Sequence, residues 1–337
     1  MSGKTLVAAT AIAVGLGAAA AEAQCPGYLG DLVTPDSAFD VALEGGFAFV
    51  AAEASGMRVV DLANPSNPVE VGFYDQGSRV HGIAVHGTVA YVANTYLGLR
   101  VVDVATPASP TELGSYSTPG SAEAVHAAGS LVYVADHDEG LQIINAASPA
   151  TPTFVGSWDT GGFARDVAVA DGYAYVADTH GGLVVVNVSN PASPVGVAVL
   201  PTPGGAFGVD VCGDLAFVAA DAEGLRLVDV SNPASPVEVG FLDSSSSSRK
   251  VACRGRIAYV ADNSNGLRIV DASDPSDPVE IGAWNTDYYT LGVAVDGGLA
   301  AIADREGGLL VFDISGCPLF VDGFESGDTS AWSATAP

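Results

Sequence analysis

The stretch Gly56-Met57-Arg58-Val59-Val60-Asp61 recurs 42 residues later as Gly98-Leu99-Arg100-Val101-Val102-Asp103. It returns five more times at the same spacing, at residues 140–145, 182–187, 224–229, 266–271 and 308–313. No step contains an insertion or a deletion. Because a fixed period of this length is the signature of a repeat architecture, the chain is predicted to consist of one unit repeated seven times.

Each unit contains four short runs of residues that favour β-strands. One set of runs spans residues 68–74, 82–85, 89–93 and 99–104. Val, Ile, Tyr and Phe fill the runs, and Gly, Asn, Asp and Pro separate them. Four antiparallel strands in 42 residues are typical of one β-propeller blade. The alternative is a solenoid, which requires atypical polar caps at both ends.

The two ends of the repeat region are offset within the unit, and this favours a closed ring. Residues 27–33 align with residues 69–75, so one strand is spare at the start. The seventh unit stops after Leu309-Leu310-Val311-Phe312-Asp313 and lacks that strand. The N-terminal strand is therefore predicted to complete the last blade of an all-β, seven-bladed propeller and to remove an open sheet edge.

The position of proline indicates which strand lies outermost. Pro68 opens the first run, and proline cannot donate to a strand ladder, so it occurs at strand starts and edges. By analogy with propellers whose repeats are offset in this way, the run at 82–85 is expected to line the channel. The run at 68–74 is then the outer strand.

The repeated motif resembles that of a known family. Residues 224–237 read Gly-Leu-Arg-Leu-Val-Asp-Val-Ser-Asn-Pro-Ala-Ser-Pro-Val, and residues 183–188 read Leu-Val-Val-Val-Asn-Val. Both are similar to the LVIVD-repeat proteins of bacteria and archaea, and the resemblance covers residues 27–314. It implies a propeller on an exported or surface protein, and it implies no particular activity or site residue.

Both ends of the chain carry features of an exported protein. Lys4 precedes an apolar run over residues 6–21, and Ala21-Glu22-Ala23 offers a small-x-small cleavage pattern, so residues 1–23 are predicted to be a signal peptide. Residues 24–317 then form the propeller. The tail, residues 318–337, is similar to the Asp-Gly-Phe-Glu-Ser-Gly ends of unrelated exported proteins of Gram-negative bacteria. That similarity implies sorting or attachment, and a disordered remnant is the alternative.

The net charge of −27 bears on the partners of the protein. Cleavage after Ala23 removes one cation and one anion and leaves the net charge unchanged. Such a charge argues against nucleic acid, whose phosphates need cationic groups. No other apolar run is long enough to span a bilayer. The predicted location is therefore secreted, periplasmic or cell-surface, and the predicted partner is an extracellular protein or glycan bound by a monomeric propeller.

The four cysteines are predicted to form disulfides, as is usual in exported proteins. When the units are aligned, Cys317 occupies the position of Pro275 in the preceding unit. Cys25 occupies the position of Asn67 in the following unit. In intact units these two positions lie two residues apart on the same linker. That linker is absent where the ring closes, so a Cys25–Cys317 bridge would replace it. Cys212 and Cys253 lie at the ends of neighbouring inner strands. Their positions in the repeat differ by one residue, which could point the side chains apart, so their pairing stays open.

Acidic residues recur in the turns between the third and fourth runs. Asp136 and Asp138 resemble the opening of a calcium loop, since carboxylate oxygens suit Ca²⁺. The remainder of such a loop is missing. Because Asp and Asn also bond to nearby backbone amides in turns, a structural role is favoured over a calcium site.

One position varies while its neighbours repeat, and this makes it a candidate for ligand binding. It lies just before each inner strand and is occupied by Phe39, His81, Glu123, Arg165, Phe207, Arg249 and Leu291. Loops held by a rigid scaffold at one end of a fold are common recognition surfaces. The candidate binding residues are His81, Glu123, Arg165, Asp166, Phe207, Arg249, Lys250, Arg79 and Tyr288. A rim whose charges pair with one another is the alternative.

The sequence shows no set of residues for nucleophilic catalysis. The five histidines include no His-x-x-x-His pair, and Ser244-Ser245-Ser246-Ser247-Ser248 is not part of a Gly-x-Ser-x-Gly turn. The predicted function is therefore a non-enzymatic binding or adhesion scaffold without a cofactor. One alternative is a Ca²⁺-dependent hydrolase or lactonase, for which Arg165 and Arg249 would repel the cation. The other is a structural envelope protein.

Overall fold

The structure, a computed structural model, describes residues 25–317 as seven four-stranded antiparallel sheets. The first strands of neighbouring sheets contact one another around a ring, so the sheets are the blades of a seven-bladed β-propeller. The prediction of the fold class is confirmed. The predicted signal peptide, residues 1–23, and the predicted tail, residues 318–337, lie outside the described residues. Within 25–317 there is no helix long and apolar enough to cross a membrane.

The strands are numbered in chain order, and each blade runs from the channel to the perimeter. The innermost strands are β2 Asp40–Glu44, β6 Val80–His86, β10 Ala124–Ala128, β14 Ala164–Ala170, β18 Gly208–Cys212, β22 Lys250–Arg254 and β26 Gly292–Asp296. The second strands are β3 Phe47–Ala51, β7 Val89–Asn94, β11 Leu131–Ala135, β15 Tyr173–Asp178, β19 Leu215–Ala219, β23 Ile257–Ala261 and β27 Leu299–Ala303.

The remaining strands complete the blades on the outside. The third strands are β4 Met57–Asp61, β8 Gly98–Asp103, β12 Leu141–Asn145, β16 Gly182–Asn187, β20 Leu225–Asp229, β24 Leu267–Asp271 and β28 Leu309–Asp313. The outermost strands are β5 Val69–Tyr74, β9 Thr111–Tyr116, β13 Thr153–Trp158, β17 Val195–Leu200, β21 Val237–Leu242, β25 Val279–Trp284 and β1 Gly27–Leu32. Blades are numbered one to seven, starting from β2–β5.

The core lies between the faces of neighbouring blades. Phe49 and Val59 of the first blade pack against Val80 and Val92 of the second, and equivalent clusters fill the other interfaces. These side chains are β-branched or aromatic and suit a pleated surface covered on both sides. Each buried Val or Phe contributes about 1.5–3 kcal/mol. Near-continuous apolar runs in the second and third strands are explained by this two-sided burial.

The N-terminal strand closes the ring as the offset of the repeats predicted. β1 pairs with β28, with Gly27 opposite Asp313 and Leu32 opposite Leu309. The seventh blade therefore has the order β1-β28-β27-β26. The seventh blade thus contains four strands, like the other six among the described residues. Its outermost strand comes from the other end of the chain.

At the closure a disulfide takes the place of the linker that joins the third and outermost strands of a blade. The sulfur atoms of Cys25 and Cys317 lie 1.96 Å apart, at disulfide bonding distance. A glycine in the outer strand lies close to the linker between the third and outermost strands of the next blade. A Cβ at Gly30 would lie 2.9 Å from the Pro65 carbonyl oxygen of that linker. The equivalent Gly282 faces Cys25, whose carbonyl oxygen would be 2.8 Å from such a Cβ. Cys25 therefore occupies the space that a linker fills in other blades.

Acidic turn residues hold the loops that lead into the inner strands. The Thr118 hydroxyl donates to Asp136 at 2.6 Å, and the Thr160 hydroxyl donates to Asp178 at 2.6 Å. The hydroxyl and the carboxylate are 18 residues apart in each case. In the fifth blade the carboxylate position is Ala220, and the Thr202 hydroxyl is buried with no partner among the described residues. This exception provides a control for the role of the hydrogen bond.

The Thr118→Val variant is expected to lose about 1–3 kcal/mol of unfolding free energy, because buried Asp136 loses one hydrogen-bond donor. The Thr202→Val variant makes the same chemical change where the hydroxyl has no partner, and it should be neutral or slightly stabilising. Urea unfolding of both variants measures the difference. Equal losses in the two variants would show that the turn carboxylates do not support the loops.

Candidate ligand site at the mouth of the channel

A cavity of about 430 Å³ opens where the inner strands begin, at one end of the central channel. It is lined by Phe39, Asp40, His81, Glu123, Ala124, Arg165, Asp166, Phe207, Arg249, Lys250, Asn263, Tyr289, Leu291 and Arg305. Every blade of the ring contributes to this lining. Seven of the nine candidate residues from the sequence lie here, whereas Arg79 and Tyr288 do not.

The variable ring position lies either directly before the inner strand or inside it. In five blades it directly precedes the strand, as Phe39 precedes β2 and Arg249 precedes β22. In β6 and β14 it lies inside the strand, where the pairing register shifts around His81 and Arg165. Bulges of this kind re-aim a side chain, and here they direct both residues to the cavity.

The ring side chains contact one another in sequence around the mouth. The Phe39 ring stacks on the His81 ring with 4.5 Å between centroids, and His81 Nδ1 donates to Glu123 Oε2 at 3.0 Å. Arg165 Nη1 lies 3.5 Å from the same Glu123 oxygen. The guanidinium carbons of Arg165 and Arg249 then lie 5.9 and 4.4 Å from the Phe207 ring centre. The ring is therefore one connected set of stacked and ion-paired groups.

A second ring of turn residues contributes Asn263 and Arg305 to the lining of the cavity. These residues share one repeat position and have positive φ angles without being glycine: Glu53, His137, Asp221, Asn263 and Arg305. Each forms an isolated β-bridge with the next blade, which places the turn beside the channel. Asp221 lies 3.4 Å from Arg249, and Arg305 lies over the rings of Phe39 and Tyr289. Non-glycine residues held at positive φ tend to cluster at binding sites.

The floor of the cavity is a layer of three charged side chains from three blades. Lys250 Nζ lies 2.9 Å from Asp40 Oδ2 and 3.7 Å from Asp166 Oδ1. The equivalent positions in the other blades are Gly82, Ala124, Gly208 and Gly292. Because those four residues are small, the three long side chains meet across the axis, and the channel is obstructed below the mouth.

The charges of the floor are coupled to one another. Burial acts to lower the pKa of Lys250, but the Asp166 and Asp40 carboxylates outweigh it, and the pKa lies above its usual value. Burial raises the pKa of Asp166, and Lys250 offsets part of that rise. The pKa of Glu123 is lowered: burial opposes this, but His81 and Arg165 together dominate. Lys250 is thus a cation at neutral pH, and Glu123 is an anion.

The next layer of the channel contains two titratable side chains among alanines. His126 and Asp210 lie two residues further along their inner strands, on the same side as the floor residues. Burial, and then the charge of Lys250, lower the pKa of His126. Burial raises the pKa of Asp210 to about 6, although its oxygens accept hydrogen bonds from the Cys253 and Val211 amides.

The raised pKa values predict that acidification stabilises the protein. Asp136, Asp210 and Asp304 have pKa values of about 6, mainly because of burial, against about 3.9 for an unfolded aspartate. Between these values the native state holds protons that the unfolded state releases, so stability is lost as pH rises from about 4 to about 6. Self-repulsion at a net charge of −27 acts in the same direction.

Thermal melts at constant ionic strength should therefore give a midpoint several degrees higher near pH 5 than near pH 7.5. The Asp210→Asn variant should flatten this dependence because its side chain cannot ionise. The Asp229→Asn variant is the control, since hydrogen bonds from Ser231 lower the pKa of Asp229. A midpoint that is higher at pH 7.5 would contradict the assignment.

Two sequence candidates do not reach the cavity. Arg79 is directed towards the outside of the mouth, with 52% of its side chain exposed, and it lies 3.4 Å from Glu53. Tyr288 lies beside the turn of Asp304 and Gly307. Asp40, Asn263 and Arg305 line the cavity although the candidate set did not contain them. The repeat frame offered a signal for Asp40, because it occupies the same position as Asp166 and Lys250.

The calcium candidates have different environments. Asp136 is buried, and its two oxygens accept hydrogen bonds from Thr118 and Gly120. Asp138 is exposed beside His137. Within residues 25–317, Asp210, Cys212 and Cys253 are the only group with metal-ligand spacing. The two cysteine sulfur atoms are 2.01 Å apart, at disulfide bonding distance, and a disulfide does not ligate a metal as thiolates do.

Comparison with known families places the chain in one of them. The LVIVD repeat matches seven times, over residues 35–76, 77–118, 119–160, 161–199, 203–244, 246–286 and 289–317. The chain belongs to the LVIVD-repeat family. Each of the seven LVIVD repeats spans one ring position, so the cavity is built from all of the repeats. No curated protein matches the sequence.

Solved structures share the fold of this LVIVD-repeat protein at low sequence identity. The WD40 β-propeller domain of Doa1 has a TM-score of 0.69 at 10% identity, covering 92% of this chain and 99% of that chain. The computationally designed Ika8 protein has a TM-score of 0.62 at 9% identity, covering 86% of this chain and 100% of that chain. At such identities the likeness shows the propeller fold alone.

The lining of the cavity offers groups that can bind an anion. Its described lining offers three guanidinium groups, one ammonium group and several carboxylates, and it contains no Ser, Thr or Cys side chain. Guanidinium groups bind carboxylates through two parallel hydrogen bonds. The arrangement is suited to holding an anionic group beside aromatic rings.

Proposed function

We propose that the protein is an exported, non-enzymatic binding scaffold that holds an anionic group of an extracellular protein or glycan at the channel mouth. The observation that carries this proposal is the concentration of cations. The chain has 12 Lys and Arg residues, and four of them, Arg165, Arg249, Lys250 and Arg305, line one cavity. In a protein of net charge −27 such a concentration is a local exception.

Three of these four cations have N–H donors that remain for a ligand. Arg165 and Arg249 each contact one carboxylate of the protein, at 3.5 and 3.4 Å, and Arg305 stacks on aromatic rings. A guanidinium has five N–H donors, so several remain for a ligand. Lys250 differs, because its ammonium group is held by Asp40 and Asp166. The arginines are therefore the binding groups, and Lys250 is part of the floor.

The location of the protein supports the same function. Two cysteine pairs at disulfide distance are compatible with an oxidising compartment outside the cytoplasm. A rigid propeller that presents one cavity at its axis is a common form of recognition scaffold. The tail, residues 318–337, would attach or sort this scaffold, in keeping with its similarity to other exported proteins.

The Arg165→Gln/Arg249→Gln variant tests the proposal. On an array of anionic glycans and acidic peptides, the wild-type protein should bind at least one ligand, and the variant should bind it about tenfold to a hundredfold more weakly, since a charge-assisted hydrogen bond contributes about 1.5–3 kcal/mol. Added salt should weaken wild-type binding. Arg256→Gln is the matched control, because Arg256 pairs with Asp214 outside the cavity. Equal binding by the double variant would place the site elsewhere.

A further inference from the structure

The cavity has a floor, and this limits what can enter it. Lys250 bridges Asp40 and Asp166 across the axis, so a ligand cannot pass from the mouth through the channel. The volume of about 430 Å³ is at the low end of the range for ligand pockets. The cavity is therefore shaped for a chain end or a small group, and not for the middle of a threaded chain.

The three arginines of the lining lie on one side of the mouth. Arg165, Arg249 and Arg305 belong to the fourth, sixth and seventh blades, whereas the His81–Glu123 pair belongs to the second and third. Arg165 and Arg249 flank one Phe207 ring. The Arg165 Nε is buried and has no partner among the described residues. An anionic group of the ligand belongs on the arginine side, against the guanidinium of Arg165 or Arg249.

The remainder of the lining suits hydroxyl groups. Asn263 offers both a donor and an acceptor, and Glu123 and Asp166 offer acceptors. The Tyr289 ring lines the cavity and is 47% exposed, so an aromatic face is open to a ligand. A hydroxyl both donates and accepts, and the C–H face of a sugar packs on an aromatic ring. The side chain of an acidic peptide residue carries a carboxylate but no hydroxyl for these groups.

Resting on the proposed function, we propose that the cavity binds the terminal residue of a carboxylated oligosaccharide. The sugar carboxylate accepts hydrogen bonds from Arg165 or Arg249, and the sugar hydroxyls face Asn263 and Glu123. The sugar ring packs on Tyr289. Since only an end residue enters the cavity, the length of the chain behind it contributes little to affinity.

Calorimetric titration with galacturonic acid and its di- and tetrasaccharide tests the inference. The three ligands should bind the wild-type protein with affinities within a few-fold of one another, and maltotetraose, an uncharged sugar, should not bind. Arg165→Gln/Arg249→Gln should weaken the disaccharide about tenfold or more. Tyr289→Ala should weaken it by a smaller factor, whereas Tyr288→Ala, a neighbouring exposed tyrosine outside the lining, should leave it unchanged.

The outcomes separate this inference from the proposed function. If polyglutamate binds as tightly as the disaccharide and is lost in the double arginine variant, the site holds carboxylates of peptides and the sugar assignment is wrong. If affinity rises with each added sugar residue, the ligand does not enter by its end. If no uronate binds while an array ligand still depends on the arginines, the inference fails and the proposed function stands.

Discussion

Replacing Lys250 with methionine is expected to lower the free energy of unfolding by about 3 kcal/mol. Breaking a buried ion pair costs about 3–5 kcal/mol, because the partner charge stays buried. Because 24% of the Lys250 side chain is exposed, the expected loss lies at the low end of that range. Asp40 and Asp166, which are almost fully buried, would then face one another without a cation. Urea unfolding at neutral pH measures the effect.

Two comparisons make the result for Lys250 specific. Arg256→Met breaks an exposed pair with Asp214 and should cost less than about 1 kcal/mol. Adding Asp40→Asn and Asp166→Asn to the Lys250→Met variant should recover much of the loss, since no unpaired charge remains. The Lys250→Met variant alone should also recover as pH falls, because burial raises the pKa of Asp166 and a protonated Asp166 needs no cation. A loss below about 1 kcal/mol would show that the floor is not a structural layer.

The Cys25→Ser/Cys317→Ser variant is expected to lose about 4–5 kcal/mol of unfolding free energy. The bridge joins residues 292 positions apart, and the entropic effect of a cross-link grows with the loop that it closes. Local unfolding should begin at the closure, because without the disulfide β1 is held in the seventh blade only by its pairing with β28. Guanidinium unfolding and limited proteolysis of the first and last strands measure these effects.

The second disulfide provides the matched control. Cys212 and Cys253 are 41 positions apart and join two inner strands whose blades are already continuous in sequence. Replacing both with serine should cost less than replacing the closing pair. A larger loss from the Cys212–Cys253 pair, or free Cys25 and Cys317 thiols in protein purified without reductant, would contradict the closure assigned to Cys25 and Cys317.

The fold could be predicted because its determinants are local and repeated. The 42-residue period fixed the number of blades, and the offset of residues 27–33 against 69–75 predicted that β1 would complete the last one. The repeat frame also brought Cys25 and Cys317 to the same linker position, between the third and outermost strands of a blade. These inferences need only the spacing along the chain, which a propeller converts directly into position around its axis.

The candidate site was predicted less completely, because side-chain directions depend on backbone conformation. The second ring arises from positive φ angles at Asn263 and Arg305, and a turn residue gives little sign of this in sequence. Arg79 is two residues before His81, yet it points out of the mouth to Glu53. Lys250 was grouped with the arginines as a ligand-binding cation. The structure instead pairs it with Asp40, a contact across 210 residues.

A crystal structure of the protein with its tightest-binding anionic ligand would test the central claim most directly. The account predicts that the ligand occupies the channel mouth, with an anionic oxygen about 2.7–2.9 Å from a guanidinium nitrogen of Arg165 or Arg249. It also predicts that Lys250 remains paired with Asp40 and Asp166 in the complex. A ligand bound on the outer strands, or one at the mouth with no contact to either arginine, would contradict the account.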